Sequence, residues 1–115
     1  MEIKELQSTV DHWIKTIGVR YFDEKTNTLI LNEEVGEFSR LVARIYGEQS
    51  FKTPMTVSQQ QEALADELSD IIWVSVCLAN QLGINLEDAL QKNIDKKTKR
   101  DFDRHKNNDK INQGQ

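Results

Sequence analysis

Residues 71–79 read Ile71-Ile72-Trp73-Val74-Ser75-Val76-Cys77-Leu78-Ala79, nine residues with Ser75 as the single polar interruption. That run is half the roughly 18 apolar residues a membrane helix needs, so it does not span a bilayer. Its apolar side chains occupy every side of a helix rather than one stripe, which is the pattern of an element surrounded by protein. The polar residues from Ser58 onward extend the same helix upstream and Gly83 closes it, giving a central helix over about residues 58–82.

On the N-terminal side, Ile3, Leu6, Val10, Trp13, Ile14 and Ile17 recur at intervals of three and four, one face of a first helix ending near Gly18. Ile30, Leu31, Val35, Phe38, Leu41, Val42 and Ile45 repeat that spacing. With Thr26, Asn27 or Thr28 as N-cap and Gly47 as stop, a second helix runs from about 27 to 46. The stretch from Glu48 to Val57 holds Pro54, Ser50, Thr53 and Thr56, and reads as a loop with Thr56 or Ser58 opening the central helix. On the C-terminal side, Asn85 with Asp88 forms a start signal for a fourth helix that turns Leu86, Ala89, Leu90 and Ile94 inward and extends toward residue 104. Residues 106–115 are rich in Asn, Lys and Gln and have little to bury, so the reading is a domain over 1–105 and a frayed, flexible tail.

Four helices in 115 residues predict an all-α four-helix bundle, a single domain by size. One proline and five glycines are too few for the frequent turns of a sandwich or barrel. A bundle this small cannot cover the central helix on all sides, so a homo-oligomer, dimer or tetramer, is expected. The charged N-terminus, Met1-Glu2-Ile3-Lys4-Glu5, lacks the apolar core of a secretory signal, and the single Cys77 sits between apolar neighbours as a buried, inert thiol. The expected location is the cytoplasm. Residues 1–91 hold 7 basic and 15 acidic side chains, whereas 92–115 hold 8 basic and 4 acidic. An acidic body disfavours nucleic-acid backbone and suits cations, while a basic segment beside it suits a phosphorylated small molecule.

Two acid motifs localise the chemistry. Helix two carries Glu33-Glu34-Val35-Gly36-Glu37 and helix three carries Glu67-Leu68-Ser69-Asp70. Residues i and i+3 share a helix face, so Glu34 pairs with Glu37 and Glu67 with Asp70, each pair beside the apolar stripe. Either motif alone is ordinary surface charge. Together, on consecutive helices, they set four carboxylates at the inward edge of a bundle, where repulsion and desolvation call for protons or a cation. No histidine lies three residues after these glutamates, which excludes the Glu-x-x-His ligation of di-iron bundles. Oxygen-only ligation favours Mg²⁺, with Mn²⁺ as substitute, and such ions commonly sit against phosphates. Gly36, costing about 0.5–1 kcal/mol in mid-helix, predicts a close approach between the acids.

The paired motif, Glu33-Glu34-x-x-Glu37 followed by Glu67-x-x-Asp70, resembles the MazG-like, all-α nucleoside triphosphate pyrophosphohydrolases. The similarity extends through Leu31–Glu37, Ala65–Ile71 and Lys96–Arg104 and covers about residues 6–104. The 29 residues between Glu37 and Glu67 stand at the long end of that family's spacing. The resemblance implies Mg²⁺-dependent cleavage of a (d)NTP to (d)NMP and pyrophosphate, with Glu34, Glu37, Glu67 and Asp70 as metal ligands. It implies Glu33 as the acid that orients or deprotonates water. Asn93, Lys96 and Arg100 lie on one face of helix four and are candidate phosphate-binding residues, with Lys97 and Arg104 in a neighbouring row. Trp13, and after it Trp73, are candidate base-stacking residues, and Tyr21 and Phe22 are alternative pocket walls. Two other readings compete: a non-enzymatic helical interaction module, and a hydrolase of another phosphoanhydride metabolite.

Overall fold

Three helix starts are set by short polar side chains that accept backbone N–H groups left free in the first turn. Asp23 accepts from Thr26 N–H at 2.7 Å, and Asn85 accepts from Asp88 N–H at 3.2 Å. Thr56 accepts from Gln59 N–H at 3.1 Å, and the Gln59 side chain accepts in return from Thr56 N–H at 2.9 Å. In this computed structural model, which describes residues 1–112, the helices are α1 (Ile3–Thr16), α2 (Glu24–Tyr46), α3 (Val57–Gln81), α4 (Leu86–Asp101) and the single turn α5 (Asp109–Asn112). The described residues contain no strand, and the all-α class read from the sequence holds.

The boundary of α2 differs from expectation. It starts at Glu24 rather than near residue 27, because Asp23 provides the cap and the polar run Glu24-Lys25-Thr26 forms the first turn. Asn27, read as a possible cap, is therefore one turn inside the helix and buried. The end of α3 is a Schellman closure: Gly83 takes φ +68°, Gly83 N–H donates to Asn80 O at 3.3 Å and Ile84 N–H donates to Ala79 O at 2.8 Å. After α1 the left-handed residue is Val19, at φ 71°, rather than Gly18. Gly18 is instead kept small by its neighbours, since a Cβ there would lie 3.2 Å from the Trp13 ring.

Helix α3 is central. Val74, Val76, Cys77 and Ala79 on it, with Val10 of α1 and Leu41 of α2, are the buried apolar residues. Asn27 bonds to Gln81 while Glu34 meets Glu67 and Asp70, so α2 and α3 run antiparallel. Helix α1 also runs antiparallel to α3, with Gln7 beside Asn80 and Trp13 edge-on to Trp73 at 5.2 Å. Gln7 ties down the α3–α4 connection by donating to Ile84 O at 2.8 Å and accepting from Leu86 N–H at 2.9 Å.

Helix α4 departs most from the sequence reading. It packs on α1, ends at Asp101 rather than near 104, and leaves Leu90 and Ile94, expected to face inward, 43% and 55% exposed. The radius of gyration of the chain, 18.2 Å, shows it to be open where a closed domain of this length has about 13 Å. Beyond α4, the segment expected to fray is turned: Lys106 Nζ lies 4.6 Å above the Phe102 ring, and Asn112 Nδ2 donates to Lys106 O at 2.6 Å. The remainder of that tail, residues 113–115, lies outside the described residues. No described helix is long and apolar enough to cross a membrane.

Candidate active site

The antiparallel register of α2 and α3 brings Glu34, Glu67 and Asp70 together, with one oxygen from each inside a 4.8 Å cluster. All three are half-buried. Glu67 Oε2 is sealed from solvent and receives no hydrogen bond from any described residue. A sealed carboxylate oxygen without a donor is costly unless a proton or cation meets it. Glu34 responds in the expected direction: burial, then the Glu67 carboxyl and the Asp70 charge, push it up to about 7. The donor set is all carboxylate oxygen, so the residues fit a hard divalent cation such as Mg²⁺ or Mn²⁺.

The other acids of the motif are not in that cluster. Glu37, one turn beyond Glu34, is half-exposed and turned to Arg40, whose guanidinium lies 3.2 Å away. Glu33 is exposed. Gly36 does not receive the close approach expected of it, for a Cβ there would meet open space within this chain.

A cavity of about 400 Å³ opens beside the acids. Glu34 and Asp70 line it together with Trp13, Trp73, Tyr21 and Phe22. Trp13, the candidate stacking residue, is 41% exposed, and its ring stands nearly perpendicular to Trp73 at 88°. Tyr21 is held by donating to Asp11 at 2.6 Å and accepting from Asn80 Nδ2 at 3.0 Å. Burial and the Asp11 carboxylate push its phenol up to about 12, so it stays neutral. Cys77 also lines the cavity, and burial raises its thiol, in keeping with an inert residue.

The basic face of α4 is elsewhere. Asn93, Lys96 and Arg100 are exposed and none lines the cavity. Arg100 is engaged by its neighbour Asp101 at 2.7 Å, and Arg104 joins the same carboxylate at 3.2 Å. These two guanidinium groups hold Asp101 below the usual carboxylate range.

Two polar cavity residues, Arg20 and Asn27, are not among those the sequence singles out for the site, nor is Gln81, which bonds to Asn27. Arg20 was read as connection, and its Nη1 donates to Tyr21 O at 2.8 Å. For Asn27 a signal existed, since Asn27, Ile30 and Glu34 stand at i, i+3 and i+7 and share one face of α2.

Residues 22–105 match the MazG nucleotide pyrophosphohydrolase domain. An uncharacterized protein, YpjD, from Bacillus subtilis (strain 168) is 35% identical over 102 residues, spanning 89% of this chain and 88% of that protein. A crystal structure of Bacillus subtilis YpjD superposes with a TM-score of 0.72 at 33% identity, over 84% of this chain and 94% of the other. The crystal structure of a Bacillus-conserved MazG protein, a nucleotide pyrophosphohydrolase, gives 0.68 at 31% identity, over 84% and 88% of the two chains.

Proposed function

Because the chain belongs to the MazG nucleotide pyrophosphohydrolase family, we propose that it hydrolyses a nucleoside triphosphate, ribo or deoxy, to the monophosphate and pyrophosphate with Mg²⁺, or Mn²⁺ in its place. The observation that carries this reading is the meeting of Glu34, Glu67 and Asp70 beside a cavity walled by two tryptophans. The acids suit the polyphosphate end of such a substrate and the aromatic walls suit its base.

In the proposed reaction, water adds to phosphorus at the α–β bridge, the bridging P–O bond breaks, and pyrophosphate leaves. A divalent ion held by Glu34, Glu67 and Asp70 would neutralise polyphosphate charge and make a nearby water more acidic. Glu33 is assigned the orientation or deprotonation of that water. Glu37, one turn from Glu34, is assigned as a fourth ligand, exchanging Arg40 for the ion. Tyr21 and Trp73 keep the base end apolar and exclude water there.

The proposed assembly is a homodimer or homotetramer in the cytoplasm, acting in nucleotide-pool housecleaning. The open 18.2 Å radius supports self-association, as do exposed Val35, Leu68 and Ile72 beside the acid motifs. Asn93, Lys96 and Arg100 are assigned to phosphate binding across that interface, since α4 does not line its own chain's cavity.

The test is incubation with ribo- and deoxynucleoside triphosphates and Mg²⁺, with chromatography of the nucleotide product and an assay for pyrophosphate. Monophosphate and pyrophosphate in equal amounts are expected. Diphosphate and inorganic phosphate would mean a phosphatase, and no turnover of any nucleotide would leave the interaction-module reading standing.

A further inference from the structure

At the end of the cavity away from the acids sits Asn27, 5% exposed and two turns before Glu34 on the same face of α2. A polar side chain buried this deeply is normally satisfied on both its nitrogen and its oxygen. Here only the nitrogen is. Asn27 Nδ2 donates to Gln81 Oε1 at 2.8 Å and to Phe22 O at 3.4 Å. Gln81 Nε2 donates to the same Phe22 O. A backbone carbonyl oxygen can only accept, so both amides must turn their NH₂ groups toward Phe22, and neither can be reversed without setting oxygen against oxygen.

Asn27 Oδ1 therefore points away from Phe22 and receives no hydrogen bond from any described residue. Glu67 Oε2 is the one side-chain atom found both sealed and unpaired among the described residues, so Asn27 Oδ1 still meets open space. The open space against Asn27 is the cavity.

We infer that Asn27 is a specificity residue that selects nucleobases with an amine at pyrimidine C4 or purine C6, cytosine or adenine, over their oxo counterparts. This rests on the proposed hydrolysis, with the polyphosphate at Glu34 and Asp70 and the base toward Asn27. The two turns between Glu34 and Asn27 leave room for the sugar between them. A free asparagine amide reads an imide edge with both groups, oxygen to N–H and NH₂ to the adjoining oxo group. Asn27 cannot, because Gln81 and Phe22 occupy its NH₂. It offers a lone acceptor that, set against the C4 or C6 substituent rather than the ring nitrogen, an amine satisfies and an oxo group repels. Gln81 acts as a positioning residue that fixes the amide's orientation.

The experiment compares kcat/KM for two matched pairs, dCTP with dUTP and dATP with dITP, each pair differing by amine against oxo. Binding of the corresponding monophosphates without metal is followed in parallel by tryptophan fluorescence from Trp13 and Trp73. The amine is expected to be favoured roughly tenfold or more in the pair whose ring the cavity admits. Asn27→Leu should bring that ratio close to one while pyrophosphate release continues. Gln81→Met, which removes the 2.8 Å bond and leaves the Asn27 amide held only by its 3.4 Å contact to Phe22 O, should lower the ratio as well, separating orientation from mere bulk. Turnover with equal kcat/KM within both pairs, or a preference for dUTP or dITP, overturns this inference and leaves the proposed function intact. If no triphosphate is cleaved, the proposed function fails, and equal binding of amine and oxo monophosphates then overturns this inference too.

Discussion

Two regions of the molecule are dense in charge, and they behave in opposite ways. Where α2 meets α3, Glu34, Glu67 and Asp70 converge with no base among them, and one oxygen of Glu67 is sealed without a donor. At the end of α4, Arg100 and Arg104 share Asp101, and the remaining lysines are solvated. Both regions look alike as strings of charged residues. What separates them is whether a charge finds an opposite nearby: at α4 two guanidinium groups share the Asp101 carboxylate and the other bases are solvated, while at the half-buried α2–α3 cluster no described cation meets the acids.

The largest expected effect lies at the unneutralised cluster. Glu67→Gln and Asp70→Asn should each lower kcat/KM for nucleotide cleavage by about 100-fold or more, since loss of even an outer partner of a metal site costs roughly 10–100-fold. Each should also raise the thermal stability of the metal-free protein, because one member of a repelling set becomes neutral. A fall in metal-free stability with unchanged turnover would break the comparison.

Next is the response to the ion. Mg²⁺ or Mn²⁺ at 100 times its dissociation constant should stabilise the parent by about 2.7 kcal/mol and the Asp70→Asn variant by much less, as read by thermal melts. The effect should depend on pH. Glu34 has its folded pKa raised from 4.5 to about 7, so its contribution to metal-free stability is full below about 4.5 and is lost as pH rises through 7. Metal binding shows the reverse, because the ion needs the carboxylate: affinity should climb between pH 6 and pH 8, with proton release at pH 6 that fades by pH 8, measurable by calorimetry in two buffers.

Smaller effects are expected at α4. On the proposed assignment to phosphate binding, Lys96→Ala and Arg100→Ala should raise KM for a triphosphate by up to about tenfold with little change in kcat, since neither residue lines the cavity beside the acids of its own chain. Arg104→Ala should leave both parameters and the melting midpoint close to the parent's, Asp101 retaining Arg100. A change at Arg104 as large as that at Arg100 would mean that the α4 cluster is more than a local ion pair.

Local chemistry explains what could be read in advance. The starts of α3 and α4 follow from caps a few residues long, at Thr56 and at Asn85 with Asp88, and the Gly83 closure of α3 is equally local. Glu34, Glu67 and Asp70 were legible because a spacing of three on a helix determines a face. Glu37 satisfies the same spacing and yet turns to Arg40, a choice between side-chain rotamers that spacing cannot make. Asn27 was mistaken for a cap because a cap and a buried polar residue have the same composition, and only Gln81, distant in sequence, distinguishes them. Leu90 and Ile94 carry an inward pattern that the described residues leave half exposed, since apolar periodicity announces a buried face without naming the surface that buries it.

The class of fold, the central place of α3 and the shared face of Glu67 and Asp70 were thus already present in the order of residues, because helical period and caps act over a turn or two. Which three carboxylates converge, which amide oxygen is left facing the cavity, and the distance of α4 from the acids depended on how the helices pack. Those outcomes are settled by contacts between residues dozens of positions apart, which no local pattern encodes.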